Sequence, residues 1–278
     1  MKVAVFDIGG TRIKYGNYDT ELGKLSSLGS VATEGHLGAS HVMETVLRIF
    51  RDRLSVPEKP TAIGICTRGQ VDTEQGYIIS DSADVIADYE GFSPTKALSS
   101  LGIPVVLEND ANCSAYAEHQ ALDPGTHSGP FCMMTFGTGI GAAIILDGKL
   151  YRGANFSAGE AGMMYYNKGH YEQSASIHTF RANRREWLNV AARSCASLIH
   201  VMDPETLVIG GGIPQDRSVF NSIKEKTLSL LAPGFNVSIL PASLGNKAGL
   251  VGIGLLAAQQ LGDGKAIARQ PAAVRRSR

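Results

Sequence analysis

Asp7 closes an apolar run at the start of the chain, and Ile8-Gly9-Gly10-Thr11 follows it before a second β-like run begins at Arg12. A looser copy of this device returns at Gly137-Thr138-Gly139-Ile140-Gly141, again between two strand-like runs. A glycine turn between strands lets backbone N–H groups approach a phosphate closely, because no Cβ intervenes. Two such turns, one in each half of the chain, imply a nucleotide clamped between two related lobes. Asp7 sits on a strand end, where an unpaired buried carboxylate is costly. Mg²⁺, or water on it, is the fitting partner, since hard cations prefer oxygen ligands. Rival phosphate loops do not fit: no Gly-x-x-x-x-Gly-Lys-Ser/Thr run exists, and 137–141 has the wrong spacing for a dinucleotide fingerprint and leads into a strand.

Glu108-Asn109-Asp110-Ala111-Asn112 is the second cluster, between an apolar run and a helical one. Open α/β sheets place ligands at such a strand end. A helix cap alone would account for Asp110. Beside two phosphate turns it reads instead as the acceptor of a proton from a hydroxyl attacking a γ-phosphate, while Asn109 offers both donor and acceptor to a polyol. Phosphoryl transfer needs mainly positioning, charge neutralisation and one such acceptor.

The elements that must hold these groups alternate. Strand-like runs at 3–6, 61–66 and 105–107 are separated by helical stretches at 40–54 and 94–101, which argues for α/β layers. A helix is expected over 113–122, a breaker cluster over 123–130, and strands over 131–136, 142–146 and 149–151. One long helix is expected from about 175 to 202, a strand at 206–209 ending on Gly210-Gly211-Gly212, and a last helix near 247–261. The 278 residues suffice for two lobes. We expect 1–112 to carry the first phosphate turn and Asp110, 113–246 the second turn, 247–262 to pack back between the lobes, and 263–278 to be a loose tail.

Lys plus Arg and Asp plus Glu are both 26, so the formal charge is zero and neither nucleic-acid nor membrane binding gains support. The basic end (Arg275, Arg276, Arg278) is expected to be a loose terminus. Four cysteines (Cys66, Cys113, Cys132, Cys195) are scattered without a Cys-x-x-Cys pair; three sit in apolar or helical surroundings and read as buried thiols, which fits a reducing, cytoplasmic compartment. The first strand begins at once, so no leader peptide is expected, and no apolar run is long enough to span a bilayer.

Several motifs, in order, make the chain resemble the ROK family of bacterial glucokinases, other sugar kinases and related repressors. They are Asp7-Ile-Gly-Gly-Thr-Arg-Ile-Lys14, Glu108–Asn112, Gly137–Gly141, Arg152-Gly-Ala-Asn155, Ala158-Gly-Glu-Ala-Gly162, Asp203-Pro204 to Gly212, and Asn246-Lys-Ala-Gly249. The resemblance implies a two-lobed actin/hexokinase-like (ribonuclease H-like) α/β fold. It implies an ATP-dependent kinase acting on the 6-hydroxyl of a hexose, with lobe closure excluding water, and a homodimer. By the same resemblance Asp7 would hold Mg²⁺ through water, and Gly9, Gly10, Thr11 and Lys14 would face the phosphates. Gly137, Thr138 and Gly139, with Gly211 and Gly212, would hold the nucleotide from the second lobe. Asp110 would be the catalytic base, and Gly69, Asn109, Glu160 and Glu172 would meet the sugar.

The departures are equally specific. Where the family usually has proline before the sugar-side glycine, this chain has Arg68. Zinc-bearing members continue Gly-Glu-x-Gly with histidine and a cysteine-rich loop. Here Met163 follows Gly162, the loop is shortened, and no cysteine lies between Cys132 and Cys195, so no zinc site is expected and glucose preference is not implied. The stretch between Ser176 and Trp187 is also shorter than usual. N-acetylmannosamine or a β-glucoside is therefore an alternative substrate, and a catalytically weak sugar sensor a further reading. A repressor of this family would need a helix-turn-helix domain ahead of residue 2. Met163-Met164-Tyr165-Tyr166 reads as pocket wall or core, Trp187 as core, and His170 as an isolated loop side chain.

Overall fold

The computed structural model describes residues 1–55, 59–81, 84–122 and 129–267. Most of the expected breaker cluster, Ala83 and the basic tail lie outside them. The first apolar run forms β1 (Lys2–Ile8), and the glycine turn reverses the chain into β2 (Arg12–Asp19) and then β3 (Lys24–Ala32), all antiparallel. Helix α1 (Ala39–Ile49) buries Val42, Met43, Val46 and Ile49, the three-and-four spacing of one helical face. It returns the chain to β4 (Ala62–Thr67), parallel to β1 and buried at every position because both its faces are covered. A hairpin, β5 (Gln70–Asp72) with β6 (Tyr77–Ser80), and the short α2 (Pro94–Ala97) lead to β7 (Val105–Asn109). The sheet order is β3-β2-β1-β4-β7.

Helix α3 (Asp110–Gln120) leaves β7 and enters a second sheet with the same plan. Strands β8 (Phe131–Phe136), β9 (Ile140–Leu146) and β10 (Lys149–Leu150) form its antiparallel half. A small hairpin, β11 (Tyr165–Tyr166) with β12 (Gly169–His170), precedes α4 (Tyr171–Ser174), α5 (Ile177–Ala182) and α6 (Arg184–Met202). Then come β13 (Thr206–Gly210), α7 (Arg217–Leu230) and β14 (Ser238–Pro241), giving the order β10-β9-β8-β13-β14. Each sheet is thus three antiparallel strands followed by two parallel ones, and each first hairpin carries a glycine turn.

The single helix expected from 175 to 202 is two. Asn183 is extended (φ −150°), and its side chain accepts the Glu186 N–H at 3.1 Å, capping α6 while ending α5. The last helix, α8 (Ala248–Ile267), packs on the first sheet and on α3, while α3 packs on the second sheet. A shared core between the sheets therefore includes Val5, Cys66, Cys113, Met133, Val208 and Ile253. The helix crossing is close enough that a Cβ on Gly252 would lie 1.8 Å from the Cys113 carbonyl oxygen, so only glycine fits. Two outer cores flank it, one under α1 and one around Trp187 between the second sheet and α6 and α7. All four cysteines are buried and unpaired by disulfides. Among the described residues no helix is long and apolar enough to cross a membrane.

Candidate active site

A cavity of about 780 Å³ opens between the lobes, at the carboxyl ends of the parallel strands of both sheets. Asp7, at the end of β1, faces Lys14 because the β1–β2 register pairs these two residues, and their side chains form an ion pair at 2.9 Å. Gly9 and Gly10 line the cavity, whereas Thr11 is exposed at the turn and outside the lining, its carbonyl accepting the Thr33 N–H at 3.0 Å. The opposite wall carries Gly137, Thr138 and Gly139 from the β8–β9 turn, and Gly211 and Gly212 after β13. Gly211 has φ +93°, and a Cβ there would sit 2.3 Å from the Phe136 carbonyl oxygen. The two second-lobe turns thus stack directly on one another. At Gly137 and Gly212 a Cβ would meet nothing within 4 Å, so their bare backbone forms an open cradle for a ligand.

The strand-to-helix junction β7–α3 divides two jobs between neighbours. Asn109, not Asp110, is the cap of α3: its Oδ1 accepts the N–H groups of Ala111 (2.8 Å) and Asn112 (3.1 Å). Its amide donates to the Gly69 carbonyl at 2.9 Å, tying the loop between β4 and β5 to the junction. Asp110 accepts the Ala111 N–H at 2.8 Å and lines the cavity. Burial, and then the charge of Asp7, raise its carboxyl to about 6, against the opposing pull of the Ala111 N–H and of Arg68. A carboxyl so placed is largely ionised at neutral pH yet a better proton acceptor than an ordinary aspartate.

Glu160 and Glu172 complete the second-lobe side. The Glu172 carboxylate lies under Gly139 and accepts the Ile140 N–H at 3.4 Å. Glu160 is pushed upward by partial burial and by the Glu172 charge. Of the fifteen residues expected at the site, Thr11 alone stands off the cavity. Trp187 is fully buried, Met163 lines the cavity, and Tyr165 is exposed. His170 engages the Met163 carbonyl through Nδ1 at 2.7 Å.

Three arrangements had no counterpart in the sequence reading. Glu108, 1% exposed, receives the Asn109 N–H and the Asn112 amide on Oε1, and Arg152 on Oε2 at 2.7 Å. This pair locks the loop that bears Glu160 to the strand that bears Asn109. Gln70 bridges the lobes as well, donating to the Asn155 carbonyl at 2.6 Å and to the Ser157 hydroxyl. Arg68 reaches into the cavity and donates through Nε to Asp81 at 2.8 Å. The available signals were a charged residue in the otherwise buried β7 run and the Arg152-Gly pair; Asp81 had none.

Among the described residues no group of three or more His, Cys, Asp and Glu side chains gathers into a metal-binding cluster. The donor set at the cleft floor nonetheless fits one hard cation shared with a phosphate ligand: Asp7 is a part-exposed carboxylate whose charge reaches Asp110, beside an open glycine cradle.

With this geometry in hand, comparison with known proteins is decisive for the family. The model of the ROK family matches residues 3–176 and 178–260. An uncharacterised protein of Clostridium perfringens is 31% identical, covering 90% of this chain and 95% of its own. A β-glucoside kinase of Listeria innocua is 28% identical, covering 91% of this chain and 96% of its own. The crystal structure of a ROK family glucokinase from Streptomyces griseus in complex with glucose and AMPPNP matches with a TM-score of 0.81 at 26% identity, covering 93% of this chain and 100% of that one. This chain, with its two duplicated lobes and actin/hexokinase-like fold, belongs to the ROK family.

Proposed function

We propose that the protein is an ATP-dependent sugar kinase that transfers the γ-phosphoryl group to the 6-hydroxyl of a hexose or hexose derivative. The observation that carries the reading is Asp110, a proton acceptor freed from capping by Asn109, set on the floor of a cleft between two glycine turns. In this reading Asn109, Gly69, Glu160 and Glu172 hold the sugar, and Asp110 takes the proton of the attacking hydroxyl. The glycine turns, with Thr138, cradle the nucleotide, and Lys14 sits beside its phosphates. Mg²⁺, held through water by Asp7, would neutralise phosphate charge. Gln70 and the Arg152–Glu108 pair hold the lobes together around the substrates, which keeps water from competing with the sugar. The buried, unpaired cysteines agree with a cytoplasmic setting.

ADP release with Mg·ATP, measured across glucose, mannose, fructose, allose, N-acetylmannosamine, N-acetylglucosamine and cellobiose, tests this. Turnover with one sugar, lost in Asp110→Asn, is the expected result. Sugar binding without turnover for any of them would replace the kinase by a sugar sensor. Similarity to a β-glucoside kinase and the lack of thiolates in the shortened loop are why cellobiose and N-acetylmannosamine stand beside glucose.

A further inference from the structure

Arg68 follows the buried strand β4, and its guanidinium enters the cavity with a side chain 23% exposed. It is tethered at one point, from Nε to Oδ1 of Asp81 at 2.8 Å, and Asp81 is 3% exposed. Arginine–carboxylate pairs commonly form two parallel bonds. Here Oδ2 of Asp81 is buried without a partner, and Nη1 and Nη2 have no acceptor among the described residues. A buried carboxylate oxygen without a partner calls for an explanation, and the Nη groups beside the tether are free to take a ligand in the cavity. Nη1 lies against the first phosphate turn, 3.2 Å from where a Cβ on Gly10 would be. On its other side the positive charge reaches Asp110 and draws its carboxyl downward. The guanidinium thus stands between the phosphate turn and the proton acceptor. Lys14, the other Lys or Arg among the cavity-lining residues, is already engaged by Asp7.

We propose that Arg68, positioned by Asp81, binds the phosphoryl group as it is transferred. This rests on the kinase reading above. The sugar hydroxyl oxygen bonds to the γ-phosphorus while the bond from that phosphorus to the β–γ bridging oxygen breaks. ADP leaves with the electron pair, and the hydroxyl proton passes to Asp110. The Nη groups donate to the non-bridging oxygens of the moving phosphoryl group, whose geometry a planar fork matches better than an ammonium. Recognition of an acidic group on the sugar is the competing use of the same cation.

The test uses Arg68→Ala, Arg68→Lys and Arg68→Gln in the full chain, Gln preserving bulk if Ala does not fold. With the preferred neutral sugar, kcat of the Ala or Gln variant should fall about 10²–10³-fold, with the sugar KM changed less than about threefold. Free guanidinium ion should restore part of the rate to the truncated variant, and Lys should retain part of it. Calorimetry should find ADP binding unchanged and binding of a non-hydrolysable ATP analogue weakened. A kcat near wild type, a loss confined to the sugar KM, or equal weakening of ADP and the analogue would each overturn the proposal. If the wild type turns over no sugar, the kinase reading fails on that result. The ADP-against-analogue comparison then still decides whether Arg68 contacts the terminal phosphate.

Discussion

Replacing Asp110 by asparagine removes a charge that the fold holds against burial. The carboxyl is raised from 3.8 to about 6 by desolvation and by Asp7. A carboxyl raised in the folded state binds its proton more tightly there than in the unfolded chain. Its contribution to stability is therefore full at low pH and lost as the pH climbs through about 6. Keeping Asp110 ionised at pH 7.5 then costs about 3 kcal/mol, at 1.36 kcal/mol per tenfold in acidity. Part of the side chain remains open to the cleft, so about 1–3 kcal/mol is the realistic range. Asparagine keeps an oxygen for the Ala111 N–H, so the helix start is preserved. Asp110→Asn should therefore melt about 3–10 °C higher than wild type near pH 7.5, with the gain shrinking towards zero near pH 4. The same variant should lose about 10²–10⁴-fold in kcat. Paired thermal melts at the two pH values and steady-state kinetics read both effects. A variant no more stable than wild type at pH 7.5, or equally stabilised at pH 4, would refute the account of this carboxyl.

Wild-type kcat/KM should fall about tenfold per pH unit below about 6, as Asp110 takes up a proton; a flat profile down to pH 5 would exclude it as the base. Arg152→Ala leaves the buried Glu108 without its cation and should cost about 3 kcal/mol, read as a lower urea midpoint, with Glu108→Gln in the same chain recovering part. A cost below about 0.5 kcal/mol would mean that the pair is no lock. Gly211→Ala drives a Cβ into the Phe136 backbone and should weaken nucleotide binding at least about tenfold while sparing sugar binding, both by calorimetry; equal losses would place the turn elsewhere in the site. Trp187, the sole tryptophan, packs edge-on against Phe136 at 5.5 Å, directly before the second glycine turn. Its emission should respond to nucleotide and not to sugar alone; the reverse pattern would undo the assignment of that turn.

Features carried by a few consecutive residues were legible in the sequence. Asp7 with its glycines, the second turn and Asp110 lie at the ends of apolar runs, and an apolar run that stops on glycine or a carboxylate specifies its own strand end. β4, β8 and β13 were readable for the same reason, β4 and β13 being buried along their whole length and β8 at every position but Thr135. β3 was not, because it is a mostly exposed edge strand without an apolar pattern, and the break at Asn183 was not, because one capping side chain outweighs helical composition on either side.

The sequence alone thus determined which groups could do chemistry and which strand ends bear them, since these are short-range signals. Tertiary structure decided how those groups share work. Asn109 rather than Asp110 caps α3 because Gly69, from the loop between β4 and β5, holds its amide, and Lys14 meets Asp7 through β1–β2 register. The bonds that close the cleft join Gln70 to a residue 85 positions away and Glu108 to one 44 away. Arg68 gains its place from Asp81, beyond an intervening hairpin. Such pairings exist only after strand order and lobe packing bring distant side chains together, and no local pattern of residue types encodes that distance.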